Sequence, residues 1–222
     1  MTYEATRARV ETYFDRTATR TWARLTSDAP VSRIRQTVRE GRDQMRDRLL
    51  DGLPEDLTGR RILDAGCGTG QLTEILALRG AQVVAIDISP ALIAIARARL
   101  PRALSAHVDF HAGDMLREPN GPFDHVFAMD SLIYYDADHI HTAIERFAGH
   151  GATVRFTVAP RTPLLAMMWY TGKVFPKGDR SPTMVPHNTR TLTRRLDGFS
   201  TVRDLGRVNC GFYISHALEV AS

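Results

Sequence analysis

The chain has 222 residues, 43% of them hydrophobic and 24% charged, and a formal net charge of +4, which suits one α/β domain with a substantial core and a modest appendage. No stretch approaches the roughly 18 apolar residues of a membrane span, and the opening "MTYEATRARVETYF" lacks the apolar centre of a signal peptide. Two cysteines, Cys67 and Cys210, form neither a disulfide framework nor a pair with metal-site spacing, so reduced thiols in a cytoplasmic protein are predicted.

From the N-terminus, Val10, Phe14, Trp22 and Leu25 mark a weak helical pattern in the first 25 residues. Val31, Ile34, Val38, Met45 and Leu49 mark a clearer one over residues 31–53. Two helices are therefore predicted ahead of the core. Of 27 arginines, 13 lie within residues 1–61 beside 10 acidic residues, a mixture that reads first as a solvated, ion-paired helical face. The sharper reading is that a few of these arginines fork onto carboxylates of an acidic ligand. Nucleic-acid binding ranks lower, because no basic run is interleaved with aromatics. Pro54 and Gly59 in "LPEDLTGR" then break the helical pattern. They divide an N-terminal helical arm or lid, residues 1–57, from a core, residues 58–222.

In the core, strand and helix patterns alternate: "RILDAG" as strand, "QLTEILALRG" as helix stopping at Gly80, "AQVVAID" as strand, "SPALIAIARARLP" as helix. In the last of these Ser89 is placed to cap, Pro90 to occupy the first helical position and Pro101 to lie just past the end. "HVDFHAGD" and "FDHVFAMD" continue as strands, "DADHIHTAIERFAGH" as helix and "GATVRFTVA" as strand. A parallel, doubly wound sheet follows. Beyond Ala159 the grammar changes. Residues 160–190 hold five prolines within "PRTPLLAMMWYTGKVFPKGDRSPTMVP" and read as an insertion near the mouth of the site; "HNTRTLTRRL" then looks like a short helix. "FSTVRDLGRVNCGFYISHALEVA" reads as two strands joined at Cys210-Gly211, a closing antiparallel hairpin.

The first βα turn carries the strongest chemical signal. In "ILDAGCGTG", residues 62–70, a strand ends in Asp64 and runs into Gly66, Gly68 and Gly70, where absent Cβ atoms let backbone approach a ligand. A dinucleotide fold wants its third glycine or alanine where Gln71 stands, and Asp64 would sit badly beside a pyrophosphate. The turn favours a cationic adenosine derivative instead. Asp87 ends the next strand about 20 residues after the turn, the place from which a carboxylate takes two ribose hydroxyls.

These residues resemble the class I S-adenosylmethionine-dependent methyltransferases over about residues 58–220, which implies a Rossmann-like seven-stranded sheet with a reversed last strand. The resemblance implies that Asp64, Gly66, Cys67, Gly68 and Gly70 hold the methionine part of S-adenosyl-L-methionine, whose product is S-adenosyl-L-homocysteine. It places Asp87 with Ile88 at the ribose and Gly113, Asp114 and Met115 around the adenine. It also implies that Asp130 and Ser131 face the reacting end of the cleft. The flanks "YFDRTATRTWARLTSDAPVSRIRQTVREGRDQMRDRLL" and "MDSLIYYD" are similar to those of the magnesium protoporphyrin IX methyltransferases of (bacterio)chlorophyll biosynthesis. That narrower resemblance covers nearly the whole chain. It implies methyl transfer to a propionate of magnesium protoporphyrin IX, with assistance from the porphyrin-binding subunit of magnesium chelatase.

By motif position Tyr13 is the arm tyrosine near the methyl, and Tyr134 stands where relatives from oxygenic organisms carry histidine. Tyr134 is accordingly expected to position by hydrogen bond or stacking. No base is required, since a propionic acid near pKa 4–5 is already ionised at neutral pH and can attack the methyl directly. For the substrate, Arg16 and Arg20 of the arm could neutralise a propionate. Met168 and Trp169 offer soft, flat apolar surface for a porphyrin face or a weak membrane contact, with a location peripheral to the photosynthetic membrane. One of His125, His139 and His141 could ligate the porphyrin magnesium, but magnesium prefers oxygen ligands and His139 and His141 point to different faces of a helix, so surface positions are expected and no metal site of the protein is predicted. Rival readings are a methyltransferase for a quinone-precursor phenol, which would need a base, one for RNA, which would need a basic face, and a cofactor-binding module without turnover.

Overall fold

The computed structural model describes residues 2–27, 29–117, 121–149, 151–162 and 182–221, the side chains of 16–18 excepted. A seven-stranded sheet carries the fold, in the order β3-β2-β1-β4-β5-β7-β6. β1 (Arg61–Ala65), β2 (Gln82–Asp87), β3 (Val108–Ala112), β4 (His125–Ala128) and β5 (Thr153–Val158) run parallel, as their intervening helices require. β7 (Tyr213–Ala221) lies antiparallel between β5 and β6 (Thr201–Cys210), the reversed strand expected of the closing hairpin.

Side chains alternate across the strands and so feed two cores. On one face Leu63, Val84, Ile86, Val126 and Ala128 pack with α6 (Ala137–Ala148) and with Leu192 of α7 (Thr189–Arg195). On the other, Ile62, Val83, Ala85 and Phe127 meet α3 (Arg33–Leu50), α4 (Gln71–Leu78) and α5 (Pro90–Arg99). The strands are buried on both faces, as a doubly wound parallel sheet demands. Ser89 caps α5 by accepting from the Leu92 N–H, and Pro90 opens the helix. Gly80, at φ 89°, ends α4 in the left-handed conformation that favours glycine.

The two expected N-terminal helices behave differently. The first is one helical run in three parts: α1 (Tyr3–Thr12), a π-helical segment (Tyr13–Ala18) and α2 (Thr19–Leu25). A π turn holds an additional residue, which rotates the inward face and blurs a 3.6-residue pattern. Thr19 closes that segment by bonding back to the Phe14 and Asp15 carbonyls at 2.6 and 3.0 Å. The run crosses the C-terminal ends of the strands. Tyr3 reaches the loop after β3, Asp15 accepts from Ser89 after β2, and Thr26 meets Thr69 after β1.

α3, by contrast, is a layer of the core. Met45, Leu49 and Leu50 are buried, and a Cβ on Gly41 would stand 2.6 Å from the Tyr213 ring, so this glycine admits the close crossing of α3 and β7. The last carbonyls of α3 are bonded by Arg155 of β5, which donates to Leu49 and Asp51 at 2.6 and 2.8 Å and is itself paired with buried Glu219 at 2.7 Å. The expected arm of residues 1–57 thus divides into a cover, α1–α2, and an anchored helix.

Candidate active site

Where β1, β2 and β4 end, the chain must turn without filling the space in front of the sheet. Gly66 and Gly68 do so at φ 86° and 57°, while the Gly66 and Cys67 N–H groups bond back to the Ile86 carbonyl at 2.8 and 3.0 Å. A Cβ on Gly66 would lie 2.3 Å from that of Ser131, so the bare backbone lets the turn after β4 close against the turn after β1. Gly70 has a different part. Its Cβ direction faces Ala96 of α5 at 3.1 Å, and it is not in the lining of the main cavity, so its bare backbone admits the close approach of α5.

In front of these turns lies a cavity of about 300 Å³. Asp64, Gly66, Cys67, Gly68, Asp87, Ile88, Gly113, Asp114, Met115, Asp130 and Ser131, all anticipated for the cofactor, share its wall with Tyr134.

Asp64 is buried and takes the Thr73 hydroxyl at 2.6 Å, while Asp87 takes the N–H groups of Gly68 and Ser89, each at 2.9 Å. Burial outweighs those bonds and pushes both carboxyls up to about 6. Burial, with Asp64 and Asp87 beside it, also pushes the Cys67 thiol well up. Asp114 accepts at one oxygen from the Tyr3 hydroxyl and the Leu116 N–H, at 2.5 and 2.9 Å, while its other oxygen is buried without a hydrogen-bond partner. The Ser131 hydroxyl is likewise buried and unbonded.

Asp130 is the one described residue other than glycine at positive φ, 56°. Four side chains hold it there. Its own N–H donates to Thr157, and its carboxylate takes Arg42 at 2.6 Å, Tyr213 at 3.0 and 3.1 Å and Ser215 at 3.4 Å. The Arg42 guanidinium also lies 4.9 Å over the Trp22 ring.

The expected substrate residues fare unevenly. Phe14 lines the cavity, edge-on to buried Tyr134 at 6.1 Å and 5.6 Å from Trp22. Tyr13 is not in the lining and packs edge-on to Phe14 at 5.1 Å. Arg20 is exposed on α2. The Arg16 side chain, Met168 and Trp169 fall outside the described residues. Among the described residues the cations that do face the cavity are Arg7, Arg42 and Arg46, none singled out from the sequence. A signal existed, since Val38, Arg42 and Arg46 follow at spacings of four and put two arginines in line with an apolar stripe.

An acid at each strand end, an open glycine turn, and an unbonded buried acceptor fit an adenosine ligand carrying amino, ammonium and sulfonium groups. Comparisons with known proteins agree. A family model described as the magnesium-protoporphyrin IX methyltransferase C-terminus matches residues 128–222, and a general methyltransferase domain matches 62–151. The magnesium-protoporphyrin O-methyltransferase of Rhodobacter capsulatus is 56% identical over 98% of this chain and 97% of its own; that of Synechocystis is 30% identical over 95% and 94%. The crystal structure of the Synechocystis enzyme with bound S-adenosylhomocysteine superposes with a TM-score of 0.80, at 30% identity, covering 96% of this chain and 98% of that one. The chain belongs to the magnesium-protoporphyrin O-methyltransferase family.

Proposed function

We propose that this protein methylates a propionate carboxylate of magnesium protoporphyrin IX, giving the monomethyl ester, with S-adenosylmethionine as donor. The observation that carries the reading is the likeness to the Rhodobacter enzyme along the flanks as well as the core, at 56% identity over 98% of the chain. Bound S-adenosylmethionine supplies an electrophilic methyl, which an ionised propionate accepts without a base.

The chain's own residues bind and orient. Asp87 takes the ribose hydroxyls, Asp114 the adenine amino group, and Asp64 with the Gly66–Gly68 backbone the methionine end. Phe14, Trp22 and Tyr134 roof that end with apolar surface and exclude water, which strengthens every charge interaction beneath them. Tyr13 supports the roof through Phe14. The Nε–H of each of Arg42 and Arg46 is buried without a partner, but Arg42 is already neutralised by Asp130, whereas among the described residues Arg46 pairs with the more exposed Asp43. Arg46 is therefore the cation of this wall best able to meet the propionate. The macrocycle lies across the open side of the cavity, where the lining residues Met184 and Phe212 are exposed. Met168 and Trp169 would cover its other face, and Arg20 and Arg16 would meet its outer carboxylate.

An apolar, poorly soluble substrate suits delivery by the porphyrin-binding subunit of magnesium chelatase or from a membrane surface. No described helix is long and apolar enough to cross a membrane, and we propose a cytoplasmic protein peripheral to it.

The test is incubation of the protein with methyl-labelled S-adenosylmethionine and magnesium protoporphyrin, read by mass spectrometry, with Asp87→Ala as control. A single added methyl ester that vanishes in the control is expected. Cofactor binding without a porphyrin ester would refute the substrate.

A further inference from the structure

Asp114 is held by an element that the cofactor-binding core does not supply. Its Oδ1 takes two donors, the Tyr3 hydroxyl of α1 at 2.5 Å and the Leu116 N–H at 2.9 Å. Its Oδ2 has none, although two guanidinium groups stand near, Arg7 Nε at 3.9 Å and Arg117 Nε at 3.7 Å. Those distances are too long for hydrogen bonds, and Glu4 accounts for the separation. It takes Arg7 Nε at 3.1 Å and Arg117 Nη2 at 2.6 Å, drawing both donors away from Asp114. Oδ2 is thus left buried with positive charge nearby and no donor, on a residue that lines the cavity with Gly113 and Met115.

We propose that Tyr3 is a positioning residue of the adenine subsite: by engaging Oδ1 of Asp114 it leaves Oδ2 to accept from the exocyclic amino group of the base, so that α1 takes part in reading the purine. The proposal rests on the assignment of Asp114 as the adenine acceptor. Tyr3 is suited to the task because its ring cannot wander. It stacks on Tyr135 at 5.2 Å and 23°, meets His139 at 5.9 Å, and sits in a first helical turn capped by Thr2, whose hydroxyl accepts from the Ala5 N–H. A carboxylate free to rotate would offer either oxygen at either angle. One pinned by the Tyr3 hydroxyl and the Leu116 N–H presents Oδ2 in a single direction.

The consequence is selectivity. A 6-amino group donates to Oδ2, whereas the 6-keto group of hypoxanthine would set oxygen against oxygen. The experiment compares S-adenosylhomocysteine with S-inosylhomocysteine by calorimetry on the full chain, for the unaltered protein, Tyr3→Phe and Asp114→Ala. Tyr3→Phe keeps the ring and its stacking and removes only the hydroxyl. It should weaken S-adenosylhomocysteine about tenfold, as loss of a hydrogen bond to a charged group predicts, and change the inosyl analogue by less than about twofold. The preference for adenine would then collapse. Equal weakening of both ligands, or no change in either, would overturn the role of Tyr3 and reduce it to packing. If Asp114→Ala also left the preference intact, the adenine assignment itself would fall; if that variant alone lost it, only the inference about Tyr3 would.

Discussion

The cleft wall made by the ends of β1, β2 and β3 holds its carboxylates largely through neighbours in the chain. Asp87 is bonded by Ser89 two residues on, Asp64 by Thr73 nine residues on, and Asp114 by Leu116. The wall made by α1, α2 and α3 is held across long spans. Arg42 meets Asp130, Tyr3 meets Asp114, and Phe14 meets Tyr134. A site of the first kind is written into a few consecutive residues and tolerates little change in any of them. One of the second kind exists only once the helices have docked, and its members can be altered one at a time.

Gly66→Ala should show the largest effect, because it strikes the first wall twice. The added Cβ would overlap that of Ser131 at 2.3 Å and impose a side chain on φ 86°. Strain and overpacking together cost about 2–4 kcal/mol, a melting temperature lower by about 5–15 °C, and cofactor binding should be lost with it. Gly68→Ala, at φ 57° with nothing near its Cβ direction, should cost only about 1 kcal/mol. Thermal denaturation of the two variants side by side measures the difference. Similar losses would mean that the crowding at Ser131 is not what Gly66 relieves.

The same division decides what the sequence reveals. The βαβ order, the Ser89-Pro90 cap and the acids at strand ends are local features, and the structure bears them out. Gly70 shows the limit of such reading: in the string it is the third glycine of a ligand turn, yet whether its missing Cβ faces ligand or helix depends on where α5 lies. Arg42 and Arg46 are two of 13 arginines in residues 1–61; their spacing from Val38 puts them in line with an apolar stripe, but that the stripe faces the cavity follows from the docking of α3 on β7. The π-helical segment hides the α1–α2 face, since an additional residue in one turn cannot be seen in a 3.6-residue count. Motif position picks Tyr13, whereas periodicity picks Phe14, and it is Phe14 that lines the cavity.

Within the second wall, two arginines one turn apart should separate cleanly. Arg42→Met removes the partner of buried Asp130, whose remaining neighbours are hydroxyls, and should lower stability by about 3 kcal/mol in chemical denaturation. Arg46→Gln removes a cation whose only ion pair among the described residues is with a half-exposed acid on its own helix. It should leave stability within about 0.5 kcal/mol and cofactor affinity unchanged, while raising the porphyrin KM about tenfold. A loss of cofactor affinity instead would place Arg46 at the methionine end.

The smallest effect concerns protons and the two buried carboxyls of the first wall. Asp64 and Asp87 both sit near pKa 6 because burial disfavours their charge. Their folded values lie above the unfolded 3.8, so between about pH 4 and 6 the folded chain holds more protons than the unfolded one, and the ligand-free protein loses stability as pH rises through that window. A cationic ligand reverses the preference, since it binds best to the ionised carboxylates. Affinity for S-adenosylmethionine should therefore rise from pH 5 to pH 7, by up to about tenfold for each carboxylate that must ionise. Binding at pH 6 should also release protons, seen as a dependence of the calorimetric enthalpy on the buffer's ionisation heat. From the long-range wall only the Arg42 charge reaches Asp64, drawing its pKa down against burial, and Arg46→Gln should leave the profile unmoved. A flat profile in the unaltered protein would mean that the turn already holds both carboxylates ionised, with the Gly68, Ser89 and Thr73 donors outweighing burial.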